Sequence, residues 1–236
     1  MRLEKWVASW GGLSRKQARG AIKRGRVTVA GEVVHRPAES VAEGTEVRLD
    51  GELLQPPPLA VVFHKPIGVQ CTVGDAWGRD SLEEWVGDEL ARGLHPVGRL
   101  DADTSGVLLL SSEGTLTQRL LHPRHAVIKR YEAHVEGEPD PAVLTRQLAE
   151  GVQTSLGTHP AVVEQVEGSR VVLTVTEGKN RMVRRMLANV GHPVMGLRRL
   201  AFGTIELGEL GEGATRALTE DEGRWLEGLL GRSGAA

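Results

Sequence analysis

The stretch Gly98-Arg99-Leu100-Asp101-Ala102-Asp103-Thr104-Ser105-Gly106 is small and polar, and Val107-Leu108-Leu109-Leu110 behind it is apolar. That order predicts a loop feeding a buried strand. Asp101 then sits where a rigid scaffold can present a carboxylate for acid–base or nucleophilic work. Asp103 and Thr104 have the ordinary use of such residues, bonding nearby backbone in a turn. A second set is Arg181, Arg184 and Arg185, on a predicted helix over 180–190 whose other side is Met182, Val183, Met186, Leu187 and Val190. Lys179 precedes that helix and Arg198-Arg199 follow it. Surface ion pairing is one use for such arginines and is worth little. The other is that one arginine keeps an active carboxylate ionised while its neighbours grip phosphates. Tyr131, the single tyrosine, lies in Lys129-Arg130-Tyr131-Glu132-Ala133-His134-Val135. A flat ring beside a basic pair suits base stacking, worth about 1–3 kcal/mol per base, and equally suits a half-buried strand position.

The scaffold has room for such a site. The chain has 236 residues, 40% apolar and 25% charged, enough for one or two domains with a sizeable core. One cysteine, Cys71, excludes an internal disulfide and a cysteine-based zinc site; it reads as a small buried residue. No apolar run reaches the roughly 18 residues of a membrane span, and the charged start Met1-Arg2-Leu3-Glu4-Lys5 does not resemble a signal peptide. The expectation is a cytoplasmic protein with no membrane partner, and a monomer. Net charge is −2, but residues 1–36 hold nine basic groups against two acidic ones, leaving the remaining 200 residues at −9. A basic head on an acidic body is the asymmetry of a module that holds a polyanion.

In the head, Ser14 is placed to cap a helix reaching about Arg24, with Gly25 as its stop. Arg15, Lys16, Arg19 and Lys23 fall largely together on it. Val27–Val29 and Glu32–Val34 flank Ala30-Gly31 as a hairpin, and Glu46–Leu49 alternates as a short strand. A proline run, Gln55-Pro56-Pro57-Pro58, reads as a stiff linker. The expected division is a head over 1–54, a linker over 55–59, a body over 60–232 and a frayed tail over 233–236. Met1–Trp6, Leu13–Ala18 and Gly25–Gly31 resemble an S4 RNA-binding domain. That resemblance implies RNA contacts from Arg2, Arg15, Lys16, Arg19, Lys23, Arg24 and Arg26.

In the body, Leu59–Phe63 reads as a buried strand followed by a turn at His64-Lys65-Pro66-Ile67-Gly68. A short helix is expected over 115–121, a longer one over 180–190 with Asn180 as its candidate cap, and a final helix over 219–230 behind a Thr219–Glu222 capping box. Strands are expected around 131–135, 161–166 and 171–175. Strands outnumber helices in irregular order, so the fold class is α+β, with a mixed, mainly antiparallel sheet flanked by helices.

Gly98–Asp101, Lys129–Tyr131 and Glu177–Met186 resemble the three motifs of a pseudouridine synthase. The head, His64–Gly68 and Leu197–Gly203 align it with the family's ribosomal RNA enzymes. The resemblance implies isomerisation of a uridine in ribosomal RNA, or in a ribosome-assembly intermediate, with no cofactor and no metal. Asp101 would be the catalytic carboxylate, forming a covalent adduct or removing a sugar proton; either role needs the ionised form. Arg184 would keep it ionised, and Tyr131 would stack on a uracil flipped out at a cost of a few kcal/mol. Arg99, Lys129, Lys179, Arg181 and Arg185 would hold the RNA. Met182 departs from the glutamine common in the family, with loss of a supporting contact expected. Pro123-Arg124-His125 and Gly151-Val152-Gln153 lean toward the small-subunit enzymes, with the large subunit the close rival.

Two other functions compete. Asp101-Ala102-Asp103-Thr104 fits the Asp-x-Asp-x-Thr pattern of haloacid-dehalogenase-type phosphatases, but those carry the aspartate at the end of a strand, and here the apolar run follows. A non-catalytic S4-type RNA-binding or ribosome-assembly protein would need the head alone. Gly208–Gly213 reads as a turn, and His122/His125 as a loop.

Overall fold

Ser14 starts the first well-defined helix of the basic head. Its hydroxyl accepts from the Gln17 amide while the Gln17 side chain accepts from the Ser14 amide, a reciprocal capping box. The computed structural model describes residues 1–42, 44–72 and 80–232; the tail over 233–236, expected to fray, lies outside the described residues. The chain divides into a unit of residues 1–59 with 86–95, and a larger unit of 60–85 with 96–236.

The smaller unit contains α1 (Leu3–Trp10), α2 (Arg15–Lys23) and a four-stranded antiparallel sheet of β1 (Val27–Val29), β2 (Glu32–Val33), β3 (Val47–Leu49) and β4 (Glu52–Leu53), in the order β2-β1-β3-β4. Ala18, Ala21 and Ile22 fall one helical turn apart and bury against Leu3, Trp6, Val7, Val27 and Val47. The β1–β2 turn puts Ala30 and Gly31 at positive φ, and Asp50-Gly51 does the same between β3 and β4, the backbone that matches strand twist in a two-residue hairpin. The second hairpin was not expected from the sequence, although Asp-Gly is its usual signal.

The larger unit is built on β5 (Ala60–Lys65), which extends through His64 and Lys65 where a turn was expected. Along the chain come α3 (Leu82–Ala91), kinked at Val86, and β6 (His95–Pro96), with residues 86–95 belonging to the smaller unit, and then β7 (Thr104–Ser111), every residue of which is buried. They are followed by α4 (Gly114–Leu121), β8 (Lys129–Val135), α5 (Pro141–Glu150), β9 (Val152–Thr154), β10 (Gly157–His159), β11 (Val162–Glu167) and β12 (Arg170–Val175). The chain ends with α6 (Met182–Asn189), β13 (Val194–Phe202), β14 (Ile205–Glu206), β15 (Thr215–Ala217) and α7 (Glu220–Leu230). The main sheet path is β11-β12-β8-β13-β7-β5-β15, antiparallel throughout except the parallel β13–β7 pair. The α+β expectation therefore holds, with one parallel junction at the centre. Thr219 and Glu222 form the expected capping box of α7.

α5 was missed, though Asp140 caps it and Pro141 occupies its first position. Asn180 does not cap α6. The helix begins at Met182 behind Arg181, whose backbone is left-handed at φ 51°. Among the described residues, no helix is long and apolar enough to cross a membrane.

Candidate active site

The loop bearing Asp101 is fixed from beneath. The Thr104 amide donates to the Asp101 carbonyl (3.0 Å), closing a turn, and the Gly68 amide donates to the Ala102 carbonyl (2.8 Å). The Leu100 amide lies 3.3 Å from the Cys71 sulfur, and Cys71 is half-buried rather than fully buried. Lys65 is wholly buried, its amine donating to the Pro66 and Val69 carbonyls, so the segment under the loop is itself tied down. Burial pulls the Lys65 amine below its ordinary range, partly opposed by the Cys71, Asp101 and Asp103 charges. Behind the loop, Gly106 at φ +110° lies so close to β13 that a Cβ would collide with the Arg199 main chain. Only glycine lets the parallel β7–β13 pair approach this closely.

β8 and β13 form the floor. Their register sets Tyr131 opposite Arg199 and Lys129 opposite Phe202, so each facing pair shares one side of the sheet. Asp101, Lys129, Tyr131, Arg199, Glu177 and Met182 all line a single cavity of about 340 Å³. Tyr131 is 8% exposed. Arg99, Lys179 and Arg181 also line it, at exposed positions. Met182 is therefore part of the cavity wall, closer to the chemistry than a supporting contact.

The arginines of the α6 region divide differently from expectation. Arg184 does not contact the Asp101 carboxylate. Its guanidinium donates to the Asp103 carbonyl (2.6 Å) and the Val194 carbonyl (3.1 Å), and its Nε lies 3.4 Å from the Asp103 carboxylate. Arg181 grips Asp103 with both nitrogens, at 3.0 and 2.8 Å. Asp103, expected to do turn work only, is thus the anchor of both arginines. Partial burial raises its pKa, but the Arg181 hydrogen bonds and the charges of Arg184 and Arg181 outweigh that, leaving its carboxyl below the ordinary range. Burial lowers Arg184; Asp103, and more weakly Asp101, oppose it. Arg184 therefore fixes the loop while its charge reaches Asp101 across space. Arg185 turns away to Ser155 (2.5 Å) and Asn180 (3.4 Å).

Lys129 is only 6% exposed. Its amine donates to the Thr176 carbonyl at 2.9 Å and lies 5.5 Å from the Phe202 ring centre. Burial, then the neighbouring Arg199 charge, pull its pKa down to about 8. Glu177 is paired with Lys179 (3.0 Å), which with the nearby His159 holds its carboxyl low against partial burial. Lys129 is buried in the floor, unlike the exposed Arg99.

In the smaller unit, Arg2, Arg15, Lys16, Lys23 and Arg24 are exposed and outside any ion pair among the described residues. Arg19 is paired with Glu4 (2.5 Å) and Arg26 with Asp50 (2.5 Å), so these two have less free charge to offer a polyanion than the spacing suggested. No group of three metal-ligating side chains occurs among the described residues, and His122 and His125 lie in a short 3-10 turn, as the loop reading expected.

The family model for RNA pseudouridylate synthases matches residues 60–189, which contain Asp101, Tyr131 and Arg184. The chain belongs to the RNA pseudouridylate synthase family. An S4 domain matches residues 1–47. The chain is 35% identical to ribosomal large subunit pseudouridine synthase B of Bacillus subtilis (strain 168), covering 97% of this chain and 96% of that one. It is 36% identical to ribosomal small subunit pseudouridine synthase A of Escherichia coli (strain K12), covering 94% and 98%. A pseudouridylate synthase crystal structure superposes with a TM-score of 0.66 at 32% identity, covering 97% and 99%.

Within this pseudouridine synthase, two cavity residues named from the sequence only inside motifs, Arg199 and Glu177, were given no individual role in the site. For Arg199 a signal existed. Leu197, Arg199 and Ala201 alternate inward while Arg198 is exposed, the period-2 pattern of a strand with one buried face.

Proposed function

We propose that this protein converts one uridine of ribosomal RNA to pseudouridine, with Asp101 acting on a nucleotide flipped out of the RNA. The observation that carries this reading is that Asp101, in the loop leading into β7, shares a cavity with the Tyr131 ring. A cavity of about 340 Å³ is of the size that takes a small ligand. The carboxylate faces the sugar carbon that becomes electron-deficient as the base departs, as in glycoside chemistry. Tyr131 supplies a stacking face for the base. Arg181 and Arg184 hold the loop through Asp103, so the carboxylate is positioned before substrate arrives. Arg99, Lys179 and the unpaired cations of the head contact phosphates, offsetting the cost of extruding the nucleotide.

The phosphatase reading lacks its geometry, because Asp101 precedes the strand and does not end one. A head-only RNA-binding role leaves the cavity without a purpose. Small-subunit RNA is the target we favour, on the segments 123–125 and 151–153. Large-subunit RNA is the rival, since relatives named for either subunit match nearly the whole chain at 35% and 36% identity. The test is a map of pseudouridines in both ribosomal RNAs from cells lacking the protein. One small-subunit position should revert to uridine. A map unchanged in both subunits would overturn the reading.

A further inference from the structure

Arg199 is an anomaly for a structural residue. It is 5% exposed, and its Nε donates to the Val107 carbonyl at 2.8 Å. Its Nη2 is shielded from water and has no hydrogen-bond partner among the described residues. A buried charged donor left open costs far more than an ordinary unmade bond. Its guanidinium lies 4.9 Å from the Phe202 ring centre, and the Lys129 amine approaches the same ring. Neither cation has a carboxylate within ion-pair distance among the described residues, yet both line the cavity that holds Asp101. Two buried cations with no carboxylate in direct contact, and one guanidinium nitrogen still open, leave donor capacity for negative charge arriving in the cavity.

We propose that Arg199, backed by Lys129, holds the uracil base as an anion while it is detached from the sugar. The inference rests on the isomerase reading. When the C1′–N1 bond breaks, its electron pair stays on the base and spreads over the two carbonyl oxygens. The new bond then forms from C5 to C1′. The C5 hydrogen leaves as a proton and N1 gains one, so product and substrate are isomers. An N–H donor fixed on the base strengthens as charge develops there, which lowers the barrier without tightening substrate binding. The register supports the assignment, since Arg199 lies directly across from Tyr131 on the same side of the sheet. A ring stacked on Tyr131 therefore has Arg199 at its side.

The test uses the full chain, its target RNA and the variant Arg199→Gln. The single-turnover rate should fall about 100-fold or more, as when one donor to developing charge is removed. RNA affinity and its salt dependence should stay unchanged. Free guanidinium ion at non-denaturing concentration should restore at least tenfold of the rate to Arg199→Ala. A rate within threefold of the wild type overturns the inference, and so does a salt slope reduced by about one, which would assign Arg199 to a phosphate. If Arg199→Gln does not fold, Arg199→Lys serves. An amine cannot hold the Val107 carbonyl and the base together, so an intermediate rate is expected and a wild-type rate overturns the inference. A wild-type enzyme that makes no pseudouridine in either ribosomal RNA instead defeats the isomerase reading itself.

Discussion

At the scale of single residues, the cavity sets a carboxylate on a clamped loop against two cations in a sheet. Lys129 gives this arrangement a pH signature. Its amine feels the charge of Arg199 on the neighbouring strand β13, with Glu177 and Lys179 from the loop after β12 and Asp101 and Arg99 from the loop before β7 around the same cavity. Its pKa is lowered to about 8, so it is charged below that pH and neutral above it. If the cation takes part in holding the base, kcat/KM falls as pH rises through about 8. Lys129→Arg, which does not lose its proton, carries activity to higher pH. A profile that is flat above 8 in the wild type, or identical in the variant, contradicts this. Tyr131 beside basic residues left stacking and a half-buried strand position equally open, but the loop position of Asp101 was legible in the sequence, because a polar loop before an apolar run is a local pattern. The partnership of Arg184 was not, because which aspartate an arginine meets depends on where α6 begins. Arg181 adopts a left-handed backbone there and delivers both guanidinium groups to Asp103.

At the scale of elements, the site depends on how closely β7 and β13 run. Gly106→Ala would drive a methyl into the Arg199 main chain, and the expected loss is at least ~3 kcal/mol of stability, read as a large drop in denaturation midpoint. Retention of the wild-type midpoint would show that the strands can part without cost. α7 offers a second test. The Glu222 carboxylate receives both nitrogens of Arg216 at 2.7 Å and the Thr219 amide at 2.8 Å. The Arg216 hydrogen bonds hold its pKa below the ordinary 4.5, outweighing the effect of burial. A carboxyl lowered in the folded state stabilises above about 4.5, and that contribution is lost as pH falls through the folded value. Glu222→Gln should therefore cost about 1–2 kcal/mol near pH 7. The difference from wild type should shrink in acid; a constant difference across the range would refute the pairing as its cause. The α7 start was readable from Thr219-Glu220-Asp221-Glu222, since caps are local chemistry. The extension of β5 through Lys65 was not, because it rests on pairing of His64 and Lys65 with Val107 and Gly106 of β7 and on the His64 amide donating to the Ala214 carbonyl, all from distant parts of the chain.

At the scale of the whole molecule, charge is divided between a basic head and an acidic body, and the two have separable tasks. Replacing Arg15, Lys16 and Lys23 together by glutamine should lower RNA affinity and reduce the salt slope by about 2–3. The rate at saturating RNA should be unchanged, because these residues lie outside the cavity. An unaltered salt slope would remove the head from RNA contact. This division was visible in the sequence as a charge asymmetry, whereas the ion pairs that occupy Arg19 and Arg26 appear only once α1 and the β3–β4 hairpin are in place. The account as a whole stands on Asp101, and the most direct measurement is pseudouridine formation by Asp101→Asn in the target RNA alongside that variant's RNA affinity. Isomerisation should be abolished while affinity stays close to wild type. Pseudouridine formed by the variant at the wild-type rate would contradict it.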